Sequence, residues 1–199
     1  MFDAAAANEL SRRAPLAARM RPKNLDEFVG QRHLLAPGAT LRALIETDRL
    51  SSAIFFGPAG SGKTTLAQII ASTTKKVFVT MSATSAGVKE VREVLEEANR
   101  ELGMTGRGTI LFLDEIHRFS KTQQDALLPG VESGIVVLIG ATTENPFFSL
   151  TSPLLSRSTL WRFEPIGRDE LAELGQRAVD DEKAVIDDDA LAACCDLAD

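Results

Sequence analysis

Residues Gly57 to Thr64 read Gly-Pro-Ala-Gly-Ser-Gly-Lys-Thr, a complete Gly-x-x-x-x-Gly-Lys-Thr loop. Glycines at Gly57, Gly60 and Gly62 let backbone N–H groups converge on phosphate oxygens, with Pro58, Ala59 and Ser61 completing the cradle, and a following helix adds its positive end. Lys63 then reaches the β- and γ-phosphates, the Thr64 hydroxyl ligates magnesium, and Thr65 sits behind it. The apolar run Ala53-Ile54-Phe55-Phe56 before the loop and the helix-like stretch 65–71 after it are the contexts this chemistry needs. They argue against a glycine-rich turn that merely caps a helix.

A second apolar run, Ile110-Leu111-Phe112-Leu113, ends in Asp114-Glu115. A buried strand of this kind delivers both carboxylates to one end of a sheet. In phosphoryl transfer an acid at a strand end holds hydrated magnesium, here Asp114, and its neighbour polarises the attacking water, here Glu115. Two adjacent carboxylates left unneutralised raise at least one pKa, so a bound magnesium suits the pair. Loop and acids together predict a magnesium-dependent nucleoside triphosphatase.

The elements that must position these groups follow from periodicity. A short amphipathic helix is expected over 41–50, then a strand at 53–56, the phosphate loop and its helix, and a second strand at 77–81. Val88, Val91, Leu95, Ala98 and Leu102 mark one face of a helix that Gly103 to Gly108 should break. The acidic strand comes third, a helix over 122–128 follows, and further strands are expected at 135–141 and 159–163. Strands alternating with helices predict an α/β fold with a five-stranded parallel sheet flanked by helices, its ligands gathered at the carboxyl ends of the strands. The expected organisation is a flexible arm over 1–15, a nucleotide-binding core over 16–165, and an incomplete helical lid over 166–199. The last part is too small to bury a core by itself, which suggests a piece of a longer chain.

With 199 residues and a net charge of −6, the chain has room for one α/β domain and part of a second. The acids crowd the tail (Asp169, Glu170, Glu173, Asp180, Asp181, Glu182, Asp187 to Asp189), whereas Arg12, Arg13, Arg19, Arg21, Lys23 and Arg32 enrich the start and leave it able to face phosphates. No apolar stretch approaches the length of a membrane span, and Asp3 and Glu9 bracket the N-terminal alanines, so a cytoplasmic protein is expected. Cys194 and Cys195 are neighbours that rarely bridge, and reduced thiols follow. His33 and His117 lack partners at metal-ligand spacing, which makes satisfied structural histidines the expectation; Trp161, Phe147 and Phe148 are likewise expected to pack, with an interface the alternative for Phe147-Phe148.

Beyond the loop, the chain resembles the AAA+ ATPases, and within them the replication-associated recombination protein A family, related to Werner-helicase-interacting protein. The residues that carry this are Pro15-Leu16-Ala17, Arg21-Pro22, Leu25 to Gln31, Asp114 to Phe119, Gln123-Gln124-Asp125, Gly140 to Pro146, and Leu154-Leu155-Ser156-Arg157. Ala59 stands where the family usually has a second proline, and Gly130 where it has a bulkier residue.

The resemblance implies further roles. Asn145 would be the polar sensor beside the γ-phosphate, with Thr143 the competing residue, although Asn145-Pro146 by itself opens a turn. Arg157 would be the arginine finger offered to a neighbouring subunit, Ser82 the partner that holds Glu115 inactive, and Val29 with Gly30 the stretch against adenine. Implied cofactors are ATP and Mg2+. Implied partners are DNA with single-strand gaps, ends or forks, single-strand-binding protein, and further copies of the chain, with a nucleoid association. A clamp-loader subunit or a Holliday-junction branch-migration motor shares the same site, and a nucleotide-dependent switch or scaffold with little hydrolysis is the reading from another class. No Asn-Lys-x-Asp sequence follows the fourth strand, which favours ATP over GTP.

Overall fold

The computed structural model describes residues 14–198. The arm expected over 1–15 therefore lies almost wholly outside the described residues. Contacts divide the chain into two units: residues 31–165, and a smaller unit in which the segment up to Gly30 joins the segment from Ile166 onward.

The larger unit is built on five parallel strands: β1 (Ala53–Phe56), β2 (Val77–Ser82), β3 (Thr109–Asp114), β4 (Val136–Thr142) and β5 (Thr159–Arg162), in the order β2-β3-β4-β1-β5. The register pairs Phe56 with both Thr142 and Arg162, and Ser82 with Asp114. Because every pair is parallel, the carboxyl ends of β1, β3 and β4 open at one edge of the sheet. β3 is buried from Thr109 to Leu113 and apolar from Ile110 to Leu113, as a strand covered on both faces must be. The core gathers Ile54, Leu111, Leu113, Leu138 and Ile116, all at 0% exposure.

Four helices of this unit matter below: α1 (Thr40–Glu46), α2 (Lys63–Thr73), α3 (Val88–Thr105) and α4 (Lys121–Glu132). The short helix expected over 41–50 is there, but ends at Glu46. Helix α2 starts at Lys63, its N-cap Gly62 in the left-handed region at φ +94°, and buries Leu66, Ala67, Ile69 and Ile70.

Two helix ends differ from expectation. Helix α3 continues through Gly103 and stops at Gly106, whose φ of +73° and N–H to the Leu102 carbonyl at 3.0 Å make the left-handed cap. A glycine inside a helix costs only about 1 kcal/mol, so Gly103 alone does not end it. Helix α4 begins with a capping box between Ser120 and Gln123 and runs on through Pro129 to Glu132. The gain that offsets the proline is close packing: a Cβ on Gly130 would lie 2.3 Å from Leu95 Cδ2 of α3.

In the smaller unit, α5 (Arg168–Glu182) and α6 (Asp188–Ala198) carry the acidic tail. Segment 16–30, expected as part of the core, belongs with them. Arg19 pairs with Asp181 at 2.8 Å and with Glu182, and Arg177 donates to the Glu27 carbonyl at 2.8 Å. Arg19 is thus engaged by carboxylates of the acidic tail rather than held out toward phosphates. Cys194 and Cys195 are free, the former exposed and the latter buried.

Candidate functional site

The phosphate loop is fixed from beneath by groups it does not itself contain. The Gly57 N–H donates to the Thr142 carbonyl at 3.2 Å, and the Phe163 N–H to the Phe56 carbonyl at 2.7 Å. A Cβ on Gly57 would fall 2.2 Å from the Phe163 carbonyl oxygen, so no other residue fits between β1 and the end of β5. The rings of Phe55 and Phe163 pack 5.3 Å apart alongside this approach. Gln31, 4% exposed, donates through Nε2 to the carbonyls of Glu164 (2.7 Å) and Ser61 (3.3 Å) and accepts from the Glu164 N–H at 2.9 Å. One buried amide thus ties the loop to the chain leaving β5.

Lys63 points back under the loop. Its ammonium donates to the carbonyls of Gly57 (2.8 Å) and Pro58 (2.6 Å) and lies 3.2 Å from Ser61 Oγ. Burial pushes its pKa below the usual lysine value, while Asp114 pulls it back up. Ahead of it, the first N–H groups of α2 have no intrahelical acceptor and Gly62 supplies no capping side chain, which leaves donors and a positive helix end facing the same space. This arrangement attracts an anion.

That space is a pocket of about 350 Å³ lined by Ala59, Gly60, Gly62, Lys63, Thr64 and Thr65 from the loop and α2, by Asp114 and Glu115 from the end of β3, and by Ala141, Thr142 and Thr143 from the end of β4. The Thr64 hydroxyl donates to Asp114 Oδ2 at 3.4 Å. A hydroxyl and a carboxylate facing each other across a strand gap form a hard oxygen donor set. Among the described residues no group of three or more His, Cys, Asp or Glu could hold a metal. These donors therefore suit a cation that completes its shell with phosphate and water.

Glu115 sits just past the strand at φ +52°, with its N–H donating to Asp114 Oδ1 at 3.0 Å and one carboxylate oxygen bound by Arg118 Nε at 2.8 Å. A non-glycine residue in this region costs on the order of 1–3 kcal/mol, a strain typical of functional turns.

Most of the expected site residues come together, and some do not. Gly57, Pro58 and Ser61 hold the lysine from behind rather than lining the pocket. Thr143 lines it and Asn145 does not: Pro146 starts a one-turn helix, and Asn145 caps it by accepting from the Phe147 N–H at 3.0 Å. Ser82 bonds Thr84 Oγ1 at 2.8 Å, and Glu115 has Arg118 as its ion-pair partner instead. Arg157 is held by Glu132 at 2.7 Å and by the Pro153 carbonyl at 2.9 Å, and it is not part of the pocket lining. Val29 and Gly30 fall in the smaller unit, where Gly30 takes φ +84°.

His117, expected as a satisfied structural histidine, is hydrogen-bonded through Nδ1 to Thr142 Oγ1 at 2.9 Å, beside the pocket wall. Sequence reasoning gave no role to two glutamines. Gln31 braces the loop. Gln124, 1% exposed, braces the chain leading to Arg157 by donating to the Phe119 and Ser149 carbonyls (both 3.0 Å) and accepting from the Thr151 N–H at 2.8 Å. Both glutamines lie in stretches that carry the family resemblance, but nothing in their local pattern tells what they bond. Phe147 and Phe148, expected to pack, are 66% and 91% exposed.

Comparison with known proteins agrees with this geometry. The chain is 49% identical to the replication-associated recombination protein A of Escherichia coli over 167 residues, 84% of this chain and 37% of that protein. It is 44% identical to the ATPase WRNIP1 of Dictyostelium discoideum, over 94% of this chain and 22% of that protein. Among solved structures, the Holliday junction branch migration motor RuvB of Thermotoga maritima superposes with a TM-score of 0.71 at 32% identity, covering 88% of this chain and 59% of that one. The chain spans less than two-fifths of the length of these curated relatives. Residues 53–165, more than half of the chain and the whole stretch from β1 past β5, match the family description itself, and the chain belongs to the ATPase family associated with various cellular activities (AAA).

Proposed function

We propose that this chain binds ATP with Mg2+ and hydrolyses it, and that in its assembled form it drives or switches an oligomer acting on DNA in replication-fork maintenance, recombination and repair. The observation that carries the catalytic part is the convergence of Lys63, Thr64, Asp114, Glu115 and Thr143 on one pocket at the carboxyl edge of the sheet. Thr64 and Asp114 would hold the magnesium, which supplies charge neutralisation at the phosphates. Lys63 leaves its loop carbonyls for the β- and γ-phosphates. Glu115 accepts a proton from water as the water oxygen bonds to the γ-phosphorus, and the bond to the bridging oxygen breaks with its electrons leaving on ADP. Asn145 is the proposed sensor of the γ-phosphate, with Thr143, which lines the pocket, the competing residue. Val29 and Gly30 are the proposed adenine contacts.

Arg157 lies outside its own pocket, which supports a finger offered to a neighbouring copy, where it would offset charge on the γ-phosphoryl group. Likeness to proteins named for replication-associated recombination and for branch migration supports DNA as the substrate. Gaps, ends or forks as the form of that DNA, single-strand-binding protein as a partner, and a nucleoid-associated cytoplasmic location complete the proposal. No helix among the described residues is long and apolar enough to cross a membrane.

A second reading, a nucleotide-binding switch with little hydrolysis, has one observation in its favour: within a single chain Arg157 is tied to Glu132 and Glu115 to Arg118. Magnesium-dependent ATP hydrolysis measured against protein concentration, with light scattering for mass, separates the two. A rate that rises with assembly and falls at least about 100-fold in Glu115→Gln and in Arg157→Ala supports the shared active site. A monomer that binds ATP with a negligible rate, unchanged in both variants, supports the switch.

A further inference from the structure

The turn that follows Asp114-Glu115 is rigid, and it sends a cation back to the acid it follows. Ile116, at 0% exposure, anchors it: a Cβ on Gly140 of β4 would lie 2.8 Å from Ile116 Cδ1, so the two strand ends and the turn interlock. The 3-10 turn over Ile116–Arg118 closes through the Arg118 N–H to the Glu115 carbonyl at 2.9 Å and the Phe119 N–H to the Ile116 carbonyl at 3.0 Å. With the backbone so held, Glu115 is kept in the left-handed region that residues with a Cβ rarely occupy. His117 goes to Thr142 on the adjoining strand, and Arg118 goes to Glu115.

We propose that Arg118 is a positioning residue that restrains Glu115, so that hydrolysis proceeds from the fraction of molecules in which this ion pair is open. The proposal rests on the ATPase reading above. A carboxylate whose oxygen is bound by a guanidinium at 2.8 Å must give up that contact, or share it, before it orients water and accepts its proton. The strained, anchored backbone prevents Glu115 from escaping by a main-chain movement, which leaves the side-chain pair as the movable part. The two side chains are 55% and 44% exposed, so the pair is weak and reversible. A restraint needs that property, because a buried pair would silence the site permanently. Ser82, the expected partner, is engaged by Thr84 and leaves the role to Arg118.

The test uses the whole chain with Arg118→Gln and Arg118→Lys, measuring kcat and, separately, the Kd of a fluorescent ATP analogue, at low and high salt. Exposed pairs of this kind favour the closed form by a factor of roughly 1.4 to 5. Arg118→Gln is therefore expected to raise kcat about two- to five-fold with Kd unchanged, and Arg118→Lys to return the rate toward that of the parent. At about 0.5 M salt, where the Debye length is about 4 Å, the advantage of Arg118→Gln should vanish. A purely structural role predicts no such salt-dependent gain. A kcat for Arg118→Gln at or below the parental value, with melting and Kd intact, overturns the proposal.

A readout without turnover keeps this failure apart from failure of the ATPase reading. In nitrogen NMR the Arg118 Nε–H is expected to exchange about two- to six-fold more slowly in the nucleotide-free parent than in Glu115→Gln. Equal exchange in the two overturns the restraint whether or not ATP is hydrolysed. A chain that shows the exchange difference but no turnover retains the restraint and loses the hydrolytic reading.

Discussion

Replacing Gln124 by methionine isolates what one buried amide contributes. The side chain is 1% exposed and serves three backbone groups: the carbonyls of Phe119 and Ser149 at 3.0 Å and the N–H of Thr151 at 2.8 Å. Methionine occupies nearly the same volume, so cavity and overpacking effects stay small, but it has no donor and only a weak acceptor. Each buried backbone group left unmatched costs about 1–3 kcal/mol. Ser149 and Thr151 are only half-buried, so water can reach part of what is lost, and a total near the low end, about 3 kcal/mol, is expected. For a chain of this size each kcal/mol moves Tm by about 2–4 °C, which gives a fall of about 6–12 °C.

Thermal melting followed by circular dichroism measures this directly, and urea unfolding should show a lower midpoint with an unchanged slope. Affinity for an ATP analogue should be nearly unaltered, because Gln31 rather than Gln124 braces the phosphate loop. The assembly-dependent part of hydrolysis should fall, because the segment that carries Arg157 is no longer tied down. A Gln124→Glu control keeps the acceptor for Thr151 but turns a carboxylate toward two carbonyls. It should be at least as destabilising at neutral pH and partly recover in acid, where the protonated group can donate once. A Gln124→Met protein that melts within about 2 °C of the parent refutes the reasoning, since one unmatched buried group already exceeds that shift.

Gly57→Ala puts a methyl group 2.2 Å from the Phe163 carbonyl, and either β1 or the exit of β5 must move; we expect a stability loss of about 1–3 kcal/mol and at least tenfold weaker ATP-analogue binding, read by melting and by fluorescence titration. Asp48→Asn tests the link between α2 and β2. Burial opposes the Asp48 charge, yet Lys76, Thr74 and the Lys75 N–H together hold its pKa below the ordinary 3.8. A lowered carboxylate pKa stabilises above the unfolded value and is lost as pH falls through the folded one. Asp48→Asn should therefore cost about 1–2 kcal/mol at neutral pH and progressively less below pH 3.8, measured as urea midpoints. Asparagine tolerates the φ of +53° at this position, so the backbone is spared.

The parts of this molecule legible in its sequence are those in which local pattern and tertiary demand coincide. Ala53–Phe56 and Thr109–Asp114 are short apolar runs with chemistry-bearing residues at their ends, and they are strands because both faces are covered. The loop from Gly57 to Thr64 was readable because only glycine tolerates its turns and close approaches. Strand order was not, since nothing in β1 says that β4 and β5, rather than β2, will flank it. Helix ends at Gly103 and Pro129 were misplaced for the same reason: packing against Leu95 and a better cap three residues on outweigh local propensity. Asn145 shows the limit in the other direction. Its pattern fits a sensor and also fits an N-cap, and the structure shows the cap, made through Oδ1 alone.

The two buried glutamines divide the support of the site in a way that bears on how it works. Gln31 joins the phosphate loop to the exit of β5, and Gln124 joins the turn after Asp114-Glu115 to the chain that ends in Arg157. An amide suits both places because it donates and accepts at once, whereas a buried ionised group would need a counter-charge in a region that has none to spare. The loop that grips phosphate and the segment that carries Arg157 are thus braced by separate amides. Arg157 can be displaced by breaking the bonds of Gln124 while the loop stays intact. If Arg157 is the finger proposed above, loss of assembly-dependent turnover without loss of nucleotide binding is the expected failure, and the reverse failure requires damage at Gln31, Gly57 or Lys63.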